Sequence, residues 1–173
     1  MLWLLAPFVH TDPHPPPAAR WEVTYVRKED MTPEGVWCAW EAESLYYDGK
    51  ALWSAAPPDG ESWCRAPFEA ARMVDVLGED GPYLSVRLTE WACCPEREIV
   101  TRCVTYDLRT GAPATLEAYD PRSYTWRAKR LKRVLDRKHG GGWSVEPGAF
   151  VVGGGHVRVC ATRGDEAIEV ALR

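Results

Sequence analysis

Alternating apolar and polar positions predict β-strands along most of this chain. Apolar residues recur at every second position from Tyr83 to Trp91, and Ile99 to Tyr106 is rich in β-branched and aromatic residues. Both patterns are typical of half-buried strands. The segment 107–111 (DLRTG) then supplies a turn, because its glycine can adopt positive φ. The pattern predicts an antiparallel hairpin within a larger sheet, with further strands at 21–27, 36–47, 51–55, 73–77, 143–152, 156–161 and 167–172. Segment 36–47 also fits a helix, but its aromatic residues and short length favour a strand.

One segment has a helical pattern instead. Asp120 can cap free N–H groups, Pro121 suits a first helical position, and Tyr124, Ala128, Leu131 and Leu135 fall on one helical face before the glycines at 140–142. This predicts a long amphipathic helix at about 121–138. Many strands and one helix, without β-α-β alternation, predict an α+β fold in which a mostly antiparallel sheet packs against that helix.

The length and composition indicate one domain. The chain has 173 residues, of which 46% are hydrophobic, enough for a single core. Residues 1–20 form an apolar segment and a proline-rich spacer, and residues 21–173 form the predicted domain. The apolar segment Leu2–Val9 fits either a truncated signal peptide or an arm that docks on the domain. No apolar run approaches the length of a transmembrane helix.

The six cysteines indicate disulfides and therefore an extracytoplasmic location, with the cytoplasm as the alternative. We expect Cys38 to pair with Cys64, and either Cys93 or Cys94 to pair with Cys103 across the hairpin. The sixth cysteine is Cys160. No Cys-x-x-Cys pair is present, so neither a metal site nor a cofactor is predicted.

Charge is strongly segregated along the chain. Residues 121–138 contain eight Lys and Arg against one Asp, which gives +7 and leaves −11 for the remainder of a chain with net charge −4. The predicted partner-binding residues are Arg122, Arg127, Lys129, Arg130, Lys132, Arg133 and Arg137, together with Trp53 and Trp63 beside loops. The helix would face an anionic partner. The simpler interpretation is a solvated face paired with acidic strands. The acidic total argues against nucleic acid.

The order of features resembles a known family. The resemblance rests on Tyr83–Val86, 105–111 (TYDLRTG), Leu116, the predicted helix, Gly148–Phe150 and Ile168–Val170. Over roughly 73–173 the chain resembles the RsiV/PdaC-like extracytoplasmic domain. The resemblance implies a cell-envelope module: the anti-sigma relative binds lysozyme, and the deacetylase relative carries this module beside a separate catalytic domain. At 92–96 the chain has ACCPE, where the family usually has a Gly-Gly-x-His-Pro-like segment.

No catalytic motif is complete. Cys93 or Cys94 would need His139 or His156 as a base, and Glu90, Glu96 and Glu98 lie where solvent-facing residues are expected. We therefore predict a non-catalytic bacterial cell-envelope domain that binds a protein or an anionic polymer. The alternative is a cytosolic immunity-type protein that blocks a cognate toxin, and a hydrolase is a remote one.

Overall fold

Strands dominate the structure. The computed structural model describes residues 20–32, 34–56, 64, 68–93, 98–121, 124–146, 148–164 and 166–172, and for 68, 98 and 124–128 it describes the backbone only. The strands are β1 (Trp21–Met31), β2 (Trp37–Tyr47), β3 (Lys50–Trp53), β4 (Phe68–Asp80), β5 (Tyr83–Cys93), β6 (Glu98–Asp107), β7 (Ala112–Pro113), β8 (Phe150–Gly153), β9 (His156–Arg163) and β10 (Glu166–Leu172). The helices are α1 (Leu116–Tyr119), α2 (Tyr124–Val134) and a π-helical turn, Leu135–His139.

The larger sheet has the strand order β1-β2-β4-β5-β6-β7 and curls into a half-barrel. β2 runs antiparallel to β1 and parallel to β4, and β3 pairs with the end of β2. The predicted hairpin is confirmed: β5 and β6 pair in antiparallel fashion, with Tyr83 opposite Asp107. Pro113 lies in the edge strand β7, where a residue without an N–H group costs no ladder hydrogen bond.

The predicted turn at 107–111 is also confirmed. Gly111 has φ +75°, a conformation that side chains with a Cβ rarely adopt. The Asp107 carboxylate accepts hydrogen bonds from the backbone N–H and the guanidinium of Arg109 at 2.6–3.0 Å. These side-chain hydrogen bonds lower the pKa of Asp107 and raise that of Arg109. The turn is therefore held by charge as well as by its glycine.

A second sheet, with the order β10-β9-β8, lies between the larger sheet and α2. Alternate residues of its strands point to opposite sides. Phe150 and Val159 pack with Leu131 and Leu135 of the helix segment, which consists of α2 and the π-helical turn that follows it. Val151 and Cys160 pack instead with Cys103 of the larger sheet. The fold thus has three layers over much of its length: larger sheet, smaller sheet and helix.

A buried polar seam joins the two sheets. Val152 N donates to Ser85 Oγ at 2.9 Å, Ser85 Oγ lies 2.8 Å from Thr105 Oγ1, and Thr105 donates to the carbonyl of Phe150. Ser85 and Thr105 are both 0% exposed. Since Thr105 gives its proton to the carbonyl, Ser85 must donate to Thr105. Every hydroxyl in the seam is satisfied, which removes the cost of burying it.

A close backbone approach lies beside this seam. A Cβ added to Gly78 would stand 2.5 Å from the Val152 carbonyl oxygen. Such a contact forces the backbone to shift, so only glycine fits where β4 passes β8. The pairing of β4 with β5 also shifts register between Val76 and Gly78.

The α+β prediction was wrong. The described chain is mostly β, and its main helix, α2, is 11 residues long rather than spanning 121–138. Asp120 does not start that helix: it is the C-cap of α1, whose N-cap is Thr115. Because β8, β9 and β10 form a separate sheet, the helix packs on that sheet rather than on the main one.

One predicted disulfide is confirmed and the other is wrong. Cys38 bonds Cys64, whereas Cys103 bonds Cys160. The hairpin register explains the error, since Cys103 faces Arg87 and Cys93 lies six residues farther along β5, roughly 20 Å away at strand spacing. Cys93 is a half-buried free thiol, and Cys94 lies outside the described residues.

Candidate binding surface

The helix segment buries a narrow apolar stripe and exposes its charges. Leu131 and Leu135 are 6% and 4% exposed and pack on the smaller sheet, with half-buried Val134 beside them. Their i, i+4 spacing places them on one side of the segment. We call the exposed remainder the basic face: Lys129, Arg130, Lys132, Arg133, Arg137 and Lys138. Arg122 lies outside the described residues, and the Arg127 side chain is not described.

Five cations of the basic face make no ion pair with the described strand residues. Among described residues, the ion pairs of the sheets use strand arginines, such as Arg72 with Glu90 and Arg158 with Glu169. Within the same part of the chain, no ion pair involves Lys129, Lys132, Arg133, Arg137 or Lys138. These five side chains therefore present positive charge to solvent.

An apolar cleft lies beneath the basic face. It has a volume of about 440 Å³, and its walls include Leu116, Leu131, Leu135 and Phe150. Lys132 lines the same cleft, and Asp136 and Glu146 add two carboxylates. A partner on the basic face could thus place an apolar group beneath its charged contacts.

Hydrogen bonds from Arg163 of β9 and from Trp143 hold the C-terminal end of the helix segment. Arg163 donates to the carbonyls of His139 and Gly141 at 3.2 and 3.4 Å, and Trp143 Nε1 donates to the His139 carbonyl at 3.2 Å. The Arg163 guanidinium also lies 4.6 Å from the centre of the Trp143 ring. A cation that satisfies the last carbonyls stabilises a helix end. These contacts fix the orientation of the basic face.

Of the two tryptophans predicted to contact a partner, the structure describes only Trp53. Trp53 is half-buried and packs against the core cluster around Leu45 and Val74, so it is poorly placed as an exposed anchor. Trp63 lies outside the described residues. Trp91 of β5 is also half-buried, and it lines an open cleft together with Trp37.

The candidate catalytic groups are dispersed. Glu90 is paired with Arg72 and Arg102. Cys93 faces Glu69 at one end of β4, while the β8–β9 turn beside His156 lies near Gly78, nine residues and roughly 30 Å along that strand. His139 lies at the end of the helix segment, with its ring 6.2 Å from Trp143. Glu96 and the side chain of Glu98 are not described.

One group of potential metal ligands occurs among the described residues. Cys103, Cys160 and Glu169 place ligand atoms within 4.8 Å of one another. The two sulfurs are joined in a disulfide, and Glu169 pairs with Arg87 and Arg158 at 2.6 and 2.9 Å. A disulfide offers no thiolate, so this cluster does not fit a metal ion.

The fold recurs in two solved bacterial proteins. A DUF3298 family protein of Bacteroides fragilis NCTC 9343 superposes with a TM-score of 0.55 at 9% identity, covering 89% of this chain and 90% of that one. A DUF3298 family protein of Pseudomonas aeruginosa PAO1 superposes with a TM-score of 0.58 at 12% identity, covering 93% and 91%. This chain shares the fold of both. Neither is described as RsiV- or PdaC-like, and their fold does not conflict with that resemblance.

Sequence matching adds nothing to this structural likeness. No family model matches the chain, and no curated protein matches it. No described helix has the length and apolar character needed to cross a membrane.

Two features of the surface were missed from the sequence. The first is that five cations of the basic face have no ion pair among described residues. This depends on which strand carboxylates form ion pairs with strand arginines, and no local sequence pattern predicts those pairs. The juxtaposition of Trp37 and Trp91 could have been suspected, because each stands at a strand end among alternating residues, but their strands are separated by β4.

Proposed function

We propose that this chain is a non-catalytic binding module of the bacterial cell envelope, and that its basic face binds an anionic envelope polymer. The observation that carries the proposal is the set of five described cations without an ion pair, held in place by the contacts of Arg163 and Trp143. From Lys129 to Lys138 the segment extends roughly 15 Å at helical rise, which suits several successive charges of a polymer.

The envelope location is supported by the disulfides. Two buried disulfides link residues that are 26 and 57 positions apart. Such bonds form and persist in oxidising compartments and are rare in the cytosol. They weigh against the cytosolic immunity-type alternative. The fold shared with DUF3298 proteins of two bacteria is compatible with this location.

The binding test compares two pairs of charge reversals. Lys129→Glu with Lys138→Glu alters the basic face, and Lys28→Glu with Lys50→Glu makes the same charge change on strands β1 and β3. The probes are fluorescently labelled polyphosphate and polyglutamate, followed by anisotropy at low and physiological salt. We expect the helix pair to weaken binding about tenfold and the strand pair to change it less than about twofold.

Two outcomes would overturn the polymer proposal. Equal losses in both double variants would mean that only net charge matters. An absence of salt-dependent binding to either polymer would remove the basic face as a polymer site, because exposed charges act through a screened field. Separately, six free thiols on protein from its native compartment would overturn the envelope location while leaving the binding result unaffected.

A further inference from the structure

A second surface lies on the larger sheet, away from the basic face. The smaller sheet covers one side of the larger sheet only around residues such as Ser85, Arg87 and Cys103. Farther toward β1 and β2, the same side exposes large apolar side chains. Among described residues these include Tyr25 at 56%, Met31 at 55%, Trp37 at 44% and Met73 at 42%. Exposed apolar side chains that cluster in one patch mark a binding surface more often than isolated exposed apolar side chains do.

Two tryptophans border a small cleft within this surface. The cleft has a volume of about 190 Å³ and is lined by Trp37 of β2 and Trp91 of β5, with β4 running between those strands. Ala39 lies between them and pairs with Glu69 of β4. Because an alanine side chain is short, it leaves room between the larger aromatic residues. The strands are ladder-paired here, so the cleft is built on a rigid support.

The cleft is acidic as well as aromatic. Arg27 pairs with Glu29 and with Glu41, its Nε lying 3.4 Å from the latter carboxylate. Glu69 is exposed and, among described residues, has no ion pair. The cleft itself is lined by two carboxylates, Glu41 and Glu69, and one guanidinium, Arg27, which leaves one negative charge. The pKa of the Tyr25 phenol is raised by partial desolvation and by the adjacent Glu41.

We propose that this cleft, which we call the tryptophan cleft, binds a quaternary ammonium group. Aromatic faces attract cations that carry little hydration, and a carboxylate at the edge adds attraction without needing a hydrogen bond. A primary ammonium has three N–H donors to satisfy, whereas the cleft offers one unpaired carboxylate, Glu69. A quaternary ammonium has no donor to leave unsatisfied. The negative charge of the tryptophan cleft also distinguishes this site from the basic face.

The decisive probe pair is choline and 3,3-dimethylbutan-1-ol, which have nearly the same shape and differ by one positive charge. Amide chemical shifts of the isotope-labelled protein and its tryptophan fluorescence would be followed during each titration. We expect choline to saturate at roughly millimolar concentration, with shifts centred on β2, β4 and β5, and the neutral alcohol to bind at least about tenfold more weakly.

Matched variants connect the binding to the cleft. Glu69→Gln should weaken choline binding about tenfold, while Glu79→Gln, at the exposed far end of the same strand, should leave it unchanged. Trp37→Leu should weaken it as well, with well-dispersed amide spectra showing that the fold is kept. Equal binding of the two probes, an unchanged affinity in Glu69→Gln, or shifts centred elsewhere would each overturn the proposal.

Discussion

The disulfide between Cys103 and Cys160 should be a principal stabiliser of the fold. It ties β6 of the larger sheet to β9 of the smaller one, and both residues are under 10% exposed. The perturbation is the double replacement of both cysteines by alanine. It removes the only disulfide between the two sheets among described residues, while leaving the hydrogen-bonded seam in place.

The magnitude follows from the length of chain that the bond closes. For a separation of 57 residues the chain-entropy relation gives about 4.2 kcal/mol at room temperature, and for the 26 residues between Cys38 and Cys64 it gives about 3.5 kcal/mol. With a urea dependence of about 2 kcal/mol per molar, the larger loss lowers the unfolding midpoint by about 2 M.

The assay is urea unfolding followed by tryptophan fluorescence and circular dichroism under non-reducing conditions. Cys93→Ala is the matched control, because Cys93 is a half-buried free thiol and its replacement should cost less than about 1 kcal/mol. A loss below about 1 kcal/mol for the Cys103→Ala, Cys160→Ala double variant would refute the reasoning. It would mean that the unfolded chain is already restricted without the bond, or that the sheets are held by other contacts.

Three further predictions concern the seam and the turn. Thr105→Val keeps the side-chain shape but leaves the β8 carbonyl without its donor, so the free energy of unfolding should fall by about 1–3 kcal/mol in urea titrations; an unchanged value would contradict the seam. Gly78→Ala should cost about 1–3 kcal/mol and raise amide exchange near Val152, because its Cβ would stand 2.5 Å from that residue's carbonyl oxygen; normal exchange and stability would show that the strands separate freely. Asp107→Asn should be less stable than wild type at neutral pH. The pKa of Asp107 is lowered in the fold by Arg109, so its contribution is present above the unfolded pKa and lost as pH falls through the folded one. The difference in urea midpoints should therefore shrink in acid, and a constant difference would refute the ion pair.

Local structure was largely readable from the residues. Alternation located β5, β-branched and aromatic content located β6, and the turn after Asp107 was placed through its glycine. The apolar spacing of Leu131 and Leu135 located the buried side of the helix. These signals work because a side chain's direction repeats every two residues in a strand and about every 3.6 in a helix.

The candidate sites were readable only in part. The basic residues were identified from composition, but their freedom from ion pairs depends on how strand arginines and carboxylates meet across β4, β5 and β10. Trp91 lies on the side of β5 that the smaller sheet covers around Ser85. The smaller sheet stops short of it, so the same pattern ends on an open surface.

The sequence by itself determined where most strands and turns form and how charge divides along the chain. Tertiary structure decided that β8–β10 make their own sheet, that Cys103 bonds Cys160 rather than Cys93, and which faces remain open. The physical reason is the sequence separation over which each kind of interaction acts. Propensity and alternation depend on neighbours a few residues apart, whereas sheet stacking and disulfide pairing depend on surfaces that meet only after distant segments have packed.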